Sequence, residues 1–512
     1  MLSALQVAMV SVFEPSVLAI IVMAALYGIF VGSIPGLTAT MAVALMVPMT
    51  FYMNEVQAVA AIVTTVTCSI FAGDIPATLV RIPGTPASAA YANDAYALAR
   101  RQMHEQALGV SLFFSVVGGL FGTLVLVVAA PLLARVATGF TSYEYFWLYV
   151  LGLTCAAIVA DDSRLKGALA LLLGLLLSSV GLGTDYSTPR LTFGQDGLIT
   201  GINLIPAMIG LFGISEVFRN ALYLDRDSDS EDTAQEASDD PPPGLLRFVL
   251  PLLWRRKWHV LRSSGIGSCV GMLPGAGADI AAWISYAVSK RFSRDPQSYG
   301  KGSVEGLSDA TGANNAALGS AWIPALVFGI PGDSVTAIAI GVLLMKNITP
   351  GPNIFDFQDA AVAKQSSLVM AIFVTFLLAN LLLLPLGYLA IRGGSLLIRI
   401  PRRVLLPMIV MFCIVGAFAM NGSYFDVTIM LVMGLLGWLL ERGGIPLGPV
   451  VLGLLLGGPL EHKFLQCLSK DVAFLPFFQS PYSMGLAVAC LALWGAPLVS
   501  RWWRTPASSG AQ

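Results

Sequence analysis

The chain has 512 residues, 56% of them hydrophobic and 12% charged, with a formal net charge of −1 and a mean hydropathy of +0.77. Soluble domains carry about 25% charged residues, so half that density cannot clothe a water-facing surface of this size, and without a basic excess nothing meets phosphates. A soluble enzyme, a nucleic-acid binder and a disordered scaffold are excluded, and an all-α polytopic membrane protein in contact with lipid remains.

Met1–Phe13 has no Lys or Arg, so it lacks the positive n-region of a secretory signal peptide and is expected to stay as a helix. Uncharged runs follow at Pro15–Asn54, Gln106–Ala134, Gln365–Ile391, Val404–Phe425 and Val472–Ser500. A crossing helix needs about 20 apolar residues, so each run supplies one crossing and the first supplies two. Shorter runs lie at Gly167–Thr184, Gly197–Ser215, Ala310–Gly332, Val427–Leu440 and Gly443–Leu460. Together they predict roughly 10–13 membrane segments, a spread that reflects broken and re-entrant pieces. A β-barrel is not expected, because its strands alternate in polarity over about ten residues and these runs are continuous.

Between the halves, Asp225, Asp227, Asp229, Glu231, Asp232, Glu236, Asp239 and Asp240 face a single Arg226 and precede three prolines. Such a segment cannot bury a core and reads as a solvated linker. The predicted organisation is a first membrane repeat over 1–223, an acidic cytoplasmic linker over 224–244, an interfacial amphipathic helix over 245–259 and a second membrane repeat over 260–512. The 245–259 stretch reads equally as the basic flank of the next membrane helix. Either way Arg247, Arg255, Arg256, Lys257 and Arg262 place the loop in the cytoplasm. The six cysteines form no CxxC pair and the three histidines no cluster, so no metal site is expected.

The halves carry paired motifs. Gly32-Ser33-Ile34-Pro35-Gly36 matches Gly271-Met272-Leu273-Pro274-Gly275, and Ile75–Gly84 matches Ile323–Gly332 with six identical residues in ten. Proline removes a backbone donor and glycine admits unusual backbone angles, so each Pro-Gly pair is expected to stop a helix within the membrane. The freed N–H and C=O groups cannot face lipid. Gly/Pro-interrupted segments at corresponding positions of two halves point to a transporter's binding site, and helix N-termini at such breaks suit an anion. The expected fold therefore has two homologous repeats, inverted in the membrane, each with a re-entrant Pro-Gly segment. An odd number of crossings per half would give that inversion.

The stretches Gly32–Gly36, Ile82–Ser88, Pro274–Ala278, Asn314-Asn315-Ala316, Gly329–Gly332 and Pro350-Gly351-Pro352 resemble the large membrane subunit of the tripartite tricarboxylate transporter family (TctA type), from about residue 15 to about residue 500. The resemblance implies a bacterial inner-membrane subunit that works with a small membrane subunit and a periplasmic solute-binding protein to import a small organic carboxylate on an ion gradient. It implies no cofactor, only a coupling ion, Na+ or H+. Asp74, Arg81 and Asp333 stand where the family pattern suggests small or neutral residues, which leaves the substrate's identity open.

Candidate substrate-binding residues are Pro35, Gly36, Arg81, Pro83, Gly84, Thr85, Ser88, Pro274, Gly275, Asn314, Asn315, Pro331, Gly332, Asp333 and Ser334. Charges at membrane depth are expensive and mark function. Arg81 offers a bidentate fork for a carboxylate, or else pairs structurally with Asp74 or Asp333. Thr85, Ser88, Asn314, Asn315, Ser334 and Thr336 offer hydroxyls and amides to a dehydrated solute or ion, or serve as interhelical hydrogen bonds. Asn314-Asn315 is expected to open a broken segment, and Asp94 and Glu105 are expected at the surface. A stand-alone carrier or a channel is the alternative. An intramembrane enzyme is least expected, because no nucleophile–base pair or catalytic histidine lies in an apolar run.

Overall fold

The structure, a computed structural model, describes residues 2–34, 37–159, 163–183, 188–222, 244–357, 363–397, 402–471 and 475–503. It is an all-α polytopic membrane protein. Five helices among the described residues are long and apolar enough to cross a bilayer: Pro15–Gly32, Glu55–Val80, His104–Ala137, Ala363–Gly393 and Tyr424–Arg442. Shorter apolar helices include Ala39–Thr50, Ser334–Met345 and Leu406–Ala419. The chain folds as two compact units, Met1–Thr138 with Asn203–Arg442, and Gly139–Ile202 with Gly443–Gln512. Each unit draws from both sides of the 224–244 linker, of which 224–243 lies outside the described residues.

In the first unit we name the helices that position the site: α1 (Pro15–Gly32), α2 (Ala39–Thr50), α3 (Glu55–Ala72), α4 (Asp74–Val80), α5 (Ala92–Arg100), α6 (His104–Ala137), α7 (Lys257–Gly271), α8 (Gly277–Phe292), α9 (Val304–Phe328), α10 (Ser334–Met345) and α11 (Ala363–Leu397). Proline at the first turn of α1 fills a position whose N–H has no helical partner. A capping box starts α3, with Gln57 N–H donating to Asn54 Oδ1 at 2.9 Å and Asn54 N–H to Gln57 Oε1 at 3.1 Å.

Helix α9 is the centre of this unit. Every residue from Gly306 to Phe328 is buried, although the run includes Ser308, Asp309, Thr311, Asn314, Asn315 and Ser320. Glycines let its neighbours approach backbone to backbone, as in membrane-helix packing. A Cβ on Gly118 or Gly122 of α6 would lie 2.1 or 2.3 Å from the carbonyl oxygens of Gly312 or Ala316, and one on Gly267 or Gly271 of α7 would lie 2.2 or 2.5 Å from those of Ala313 or Ala317. The same arrangement joins α1 to α3, where Gly28 and Gly32 stand 2.5 Å by that measure from the carbonyls of Thr65 and Ser69. In the register of the sequence motifs these are equivalent positions: Gly28 and Gly32 answer Gly267 and Gly271, and Thr65 and Ser69 answer Ala313 and Ala317.

One expectation is corrected here. The 245–259 stretch is not one helix: Leu245–Arg255 ends at Arg256, and His259 belongs to α7. Arg256 closes the first of these two helices. It is buried and pairs with Glu305 at 3.0 Å, while Arg262 pairs with the fully buried Asp309 at 2.6 Å.

The second unit contains the helices Ser142–Val159, Arg164–Ser178, Leu447–Lys470 and Pro481–Trp503 and an antiparallel two-residue ribbon, Gly181–Leu182 with Pro189–Arg190. Glycine again sets the spacing, since a Cβ on Gly174 would lie 2.1 Å from the Val450 carbonyl oxygen. Tyr143, Phe146, Trp147, Phe464 and Phe477 form an aromatic cluster, and Arg190 grips Glu461 with both terminal nitrogens at 2.8 and 3.0 Å.

Candidate functional site

The break after α4 begins where Arg81 turns the chain into the left-handed region at φ 57°, ψ 24°. Ile82 N–H then donates to the Pro76 carbonyl at 3.3 Å. In the second half Gly329 ends α9 with φ 69°, ψ 20°, and Ile330 N–H donates to the Pro324 carbonyl at 3.2 Å. Glycine adopts this conformation freely and arginine does not, so the first half keeps a cationic side chain at a conformational cost the second half avoids.

Each break ends in a reciprocal cap. Ser88 N–H donates to Thr85 Oγ1 and Thr85 N–H to Ser88 Oγ, both at 3.1 Å. Thr336 N–H donates to Asp333 Oδ1 at 2.8 Å and Asp333 N–H to Thr336 Oγ1 at 2.9 Å. Asp333 also stands against the start of α8. The approach is close: at Gly277, where φ is +58°, a Cβ would lie 2.6 Å from Asp333 Cβ. The helix N-terminus that the sequence offers to an anion is thus filled by the protein's own carboxylate. Replacing Asp333 by alanine is expected to cost about 1 kcal/mol through the lost cap, read as a lower unfolding midpoint, with Asp333→Asn close to wild type.

Helix α8 reaches across to the first half. Asp279 Oδ1 accepts from Ala87 N–H at 3.1 Å, and one turn further on Trp283 Nε1 donates to the Pro86 carbonyl at 3.2 Å. The segments 82–88, 274–277 and 331–334 therefore converge. Asp279 is exposed and Asp333 half-buried, and the two carboxylates repel one another.

Of the residues expected at the site, Thr85, Ser88, Gly84, Pro331 and Gly332 are buried in the turns, Pro274, Gly275 and Ser334 are half-buried, and Pro83 is exposed. Pro35 and Gly36 lie outside the described residues. Arg81 is exposed, and its Nε donates to Asn93 Oδ1 at 3.0 Å. Among the described residues no ion pair joins it to Asp74 or Asp333, so the structural-partner alternative is not what the fold contains.

Two expectations fail. Asn314 and Asn315 do not open a broken segment; they lie within the continuous α9 and are 1% exposed. Asp94 is not at the surface. It is fully buried and accepts from Gly302 N–H and Ser303 N–H, both at 2.8 Å, and from Tyr286 Oη at 2.6 Å. Asp279 and Trp283 were not anticipated. The available signal was a carboxylate five residues beyond Pro274, in a stretch with no other charge between Arg262 and Lys290.

A family model described as the Tripartite tricarboxylate transporter TctA family matches residues 18–452. A protein of Agrobacterium vitis described as an uncharacterized 52.8 kDa protein in the TAR-I ttuC' 3'region is 35% identical over 479 residues, covering 91% of each chain. A second protein of that organism, described as lying in the TAR-II ttuC' 3'region, is 35% identical over 232 residues, covering 44% of this chain and 93% of its own. No solved structure matches the chain.

Proposed function

Because the chain belongs to the tripartite tricarboxylate transporter TctA family, we propose that it is the large transmembrane subunit of an ion-gradient-driven secondary transporter that imports a small organic carboxylate. Its partners in this role are a small membrane subunit and a periplasmic solute-binding protein in a bacterial inner membrane. The observation that carries the proposal is the convergence of interrupted segments from both halves, joined by the Asp279–Ala87 and Trp283–Pro86 hydrogen bonds. Broken helices that meet between repeats are the common architecture of carrier sites.

The two halves divide the work. Asp333 occupies the helix N-terminus at the second-half break as its cap, so recognition of the substrate carboxylate falls to the first half. There the exposed guanidinium of Arg81 offers its terminal N–H donors, and Asn93 orients it through Nε. The equivalent glycine contacts of α1–α3 and α7–α9 support two homologous repeats, which we take as inverted in the membrane. Alternating access then follows when one repeat rocks against the other about the convergent turns.

The decisive experiment is accumulation in proteoliposomes containing both membrane subunits, supplied with candidate binding proteins and a panel of carboxylates. An imposed Na+ or H+ gradient is expected to drive solute above its external concentration. Equilibration without accumulation would instead identify a channel, and a chemically altered solute an enzyme.

A further inference from the structure

A second set of polar groups is enclosed among α4, α6, α9 and the residue preceding α5. Asp74, Tyr91, Ser111, Ser115, Asn314 and Asn315 are each no more than 1% exposed. Tyr91 Oη donates to Asp74 Oδ1 at 2.7 Å and Ser111 Oγ to Asp74 Oδ2 at 2.8 Å. Asn315 Nδ2 donates to Ser115 Oγ at 2.8 Å. Ser111 and Ser115 lie one turn apart on α6, so the Asp74 and Asn315 groups are held by neighbouring positions on one helix face.

The inventory is lopsided. Asp74 has two neutral donors, and among the described residues no Arg or Lys pairs with it. The amide oxygens Asn314 Oδ1 and Asn315 Oδ1 are buried without a hydrogen-bond partner. A buried carboxylate needs a counter-charge, and a buried acceptor without a donor is itself costly. Every unmet requirement here is for positive charge beside oxygen, the preference of a hard cation. The repeat supplies the set once: Trp322 occupies the second-half position that matches Asp74.

Resting on the ion-driven carrier reading above, we propose that Asp74, with the amide oxygens of Asn314 and Asn315, is the binding site for the coupling cation, a sodium ion. Binding there would neutralise Asp74 and satisfy both amides, which lie on α9, the helix that α6 and α7 grip from either side. Ion occupancy would thereby bear on the packing of the central helix, and through Tyr91 on the segment that carries Thr85 and Ser88.

The test is equilibrium binding of radioactive Na+ to the purified full-length protein in nanodiscs, with choline as the replacing salt and no carboxylate present. Saturable binding is expected for wild type. Asp74→Asn is expected to weaken it by about a hundredfold or more, since loss of even an outer-shell partner costs about 10–100-fold. Asn314→Ala and Asn315→Ala are each expected to weaken it less, and Asp74→Glu to retain part of it. Elution profile and unfolding midpoint in choline report folding for each variant. Absence of saturable Na+ binding by wild type, or unchanged binding by folded Asp74→Asn, overturns the assignment. Should Asp74→Asn not fold, undiminished affinity in both asparagine variants overturns it equally. Missing Na+ binding leaves the carrier proposal to the uptake assay, whereas intact Na+ binding without uptake counts against the carrier proposal alone.

Discussion

Replacing Gly118 and Gly122 together by alanine is expected to leave little monodisperse protein, whereas Gly265→Ala on α7 is expected to behave as wild type. The added methyl groups would lie 2.1 and 2.3 Å from the carbonyl oxygens of Gly312 and Ala316, while nothing stands within 4 Å of a Cβ at Gly265. A side chain can rotate out of an overlap, but a helical carbonyl yields only if its helix moves. Overpacking a core typically costs about 1–3 kcal/mol per site. Here α6 would have to leave α9 along its length, and with it the Asn315–Ser115 bond. Size-exclusion elution and unfolding midpoints check the prediction, and a double variant as stable as Gly265→Ala would refute it.

Arg81→Gly is expected to fold at least as well as wild type yet lose uptake by about tenfold or more. Arginine in the left-handed region costs about 1–2 kcal/mol, partly offset by the entropy that glycine adds to the unfolded chain, and Gly329 already serves at the equivalent turn. A strained residue kept at a break points to use of its side chain. Arg81→Lys would retain the charge and lose both the planar fork and the Nε bond to Asn93, so KM for the carboxylate should rise by about tenfold with a smaller change in maximal rate. Initial uptake rates in proteoliposomes measure both. An unchanged KM in the lysine variant would remove Arg81 from substrate recognition.

The Ile-Pro and Ile-Pro-Gly spacing shared by Ile75–Gly84 and Ile323–Gly332 was enough to place two helix ends, because proline and glycine act on their own backbone and need no partner. The turns at Arg81 and Gly329 share one geometry for that reason. The polar residues were harder to place. Asn314 and Asn315 are buried in mid-helix because Gly118, Gly122 and Gly319 let α6 press against α9, which turns a polar run into a protein-buried face. Asp94 is buried because its donors, Gly302 and Ser303, come from 208 and 209 residues further along the chain.

Composition and the uncharged runs decided by themselves that this is a helical membrane protein, since the cost of charge and of unpaired backbone in lipid is felt by each segment alone. Local chemistry likewise determined where helices stop. Which of the charged and polar side chains share a site was decided only by the tertiary structure. Asp279 meeting Ala87, Asp333 standing against Gly277 and Asn315 meeting Ser115 are contacts between segments distant in sequence, and glycine-scale helix spacing sets them. A hydrogen bond loses its strength within a fraction of an ångström of its best distance, so no pattern along the chain could specify which of these groups come within reach.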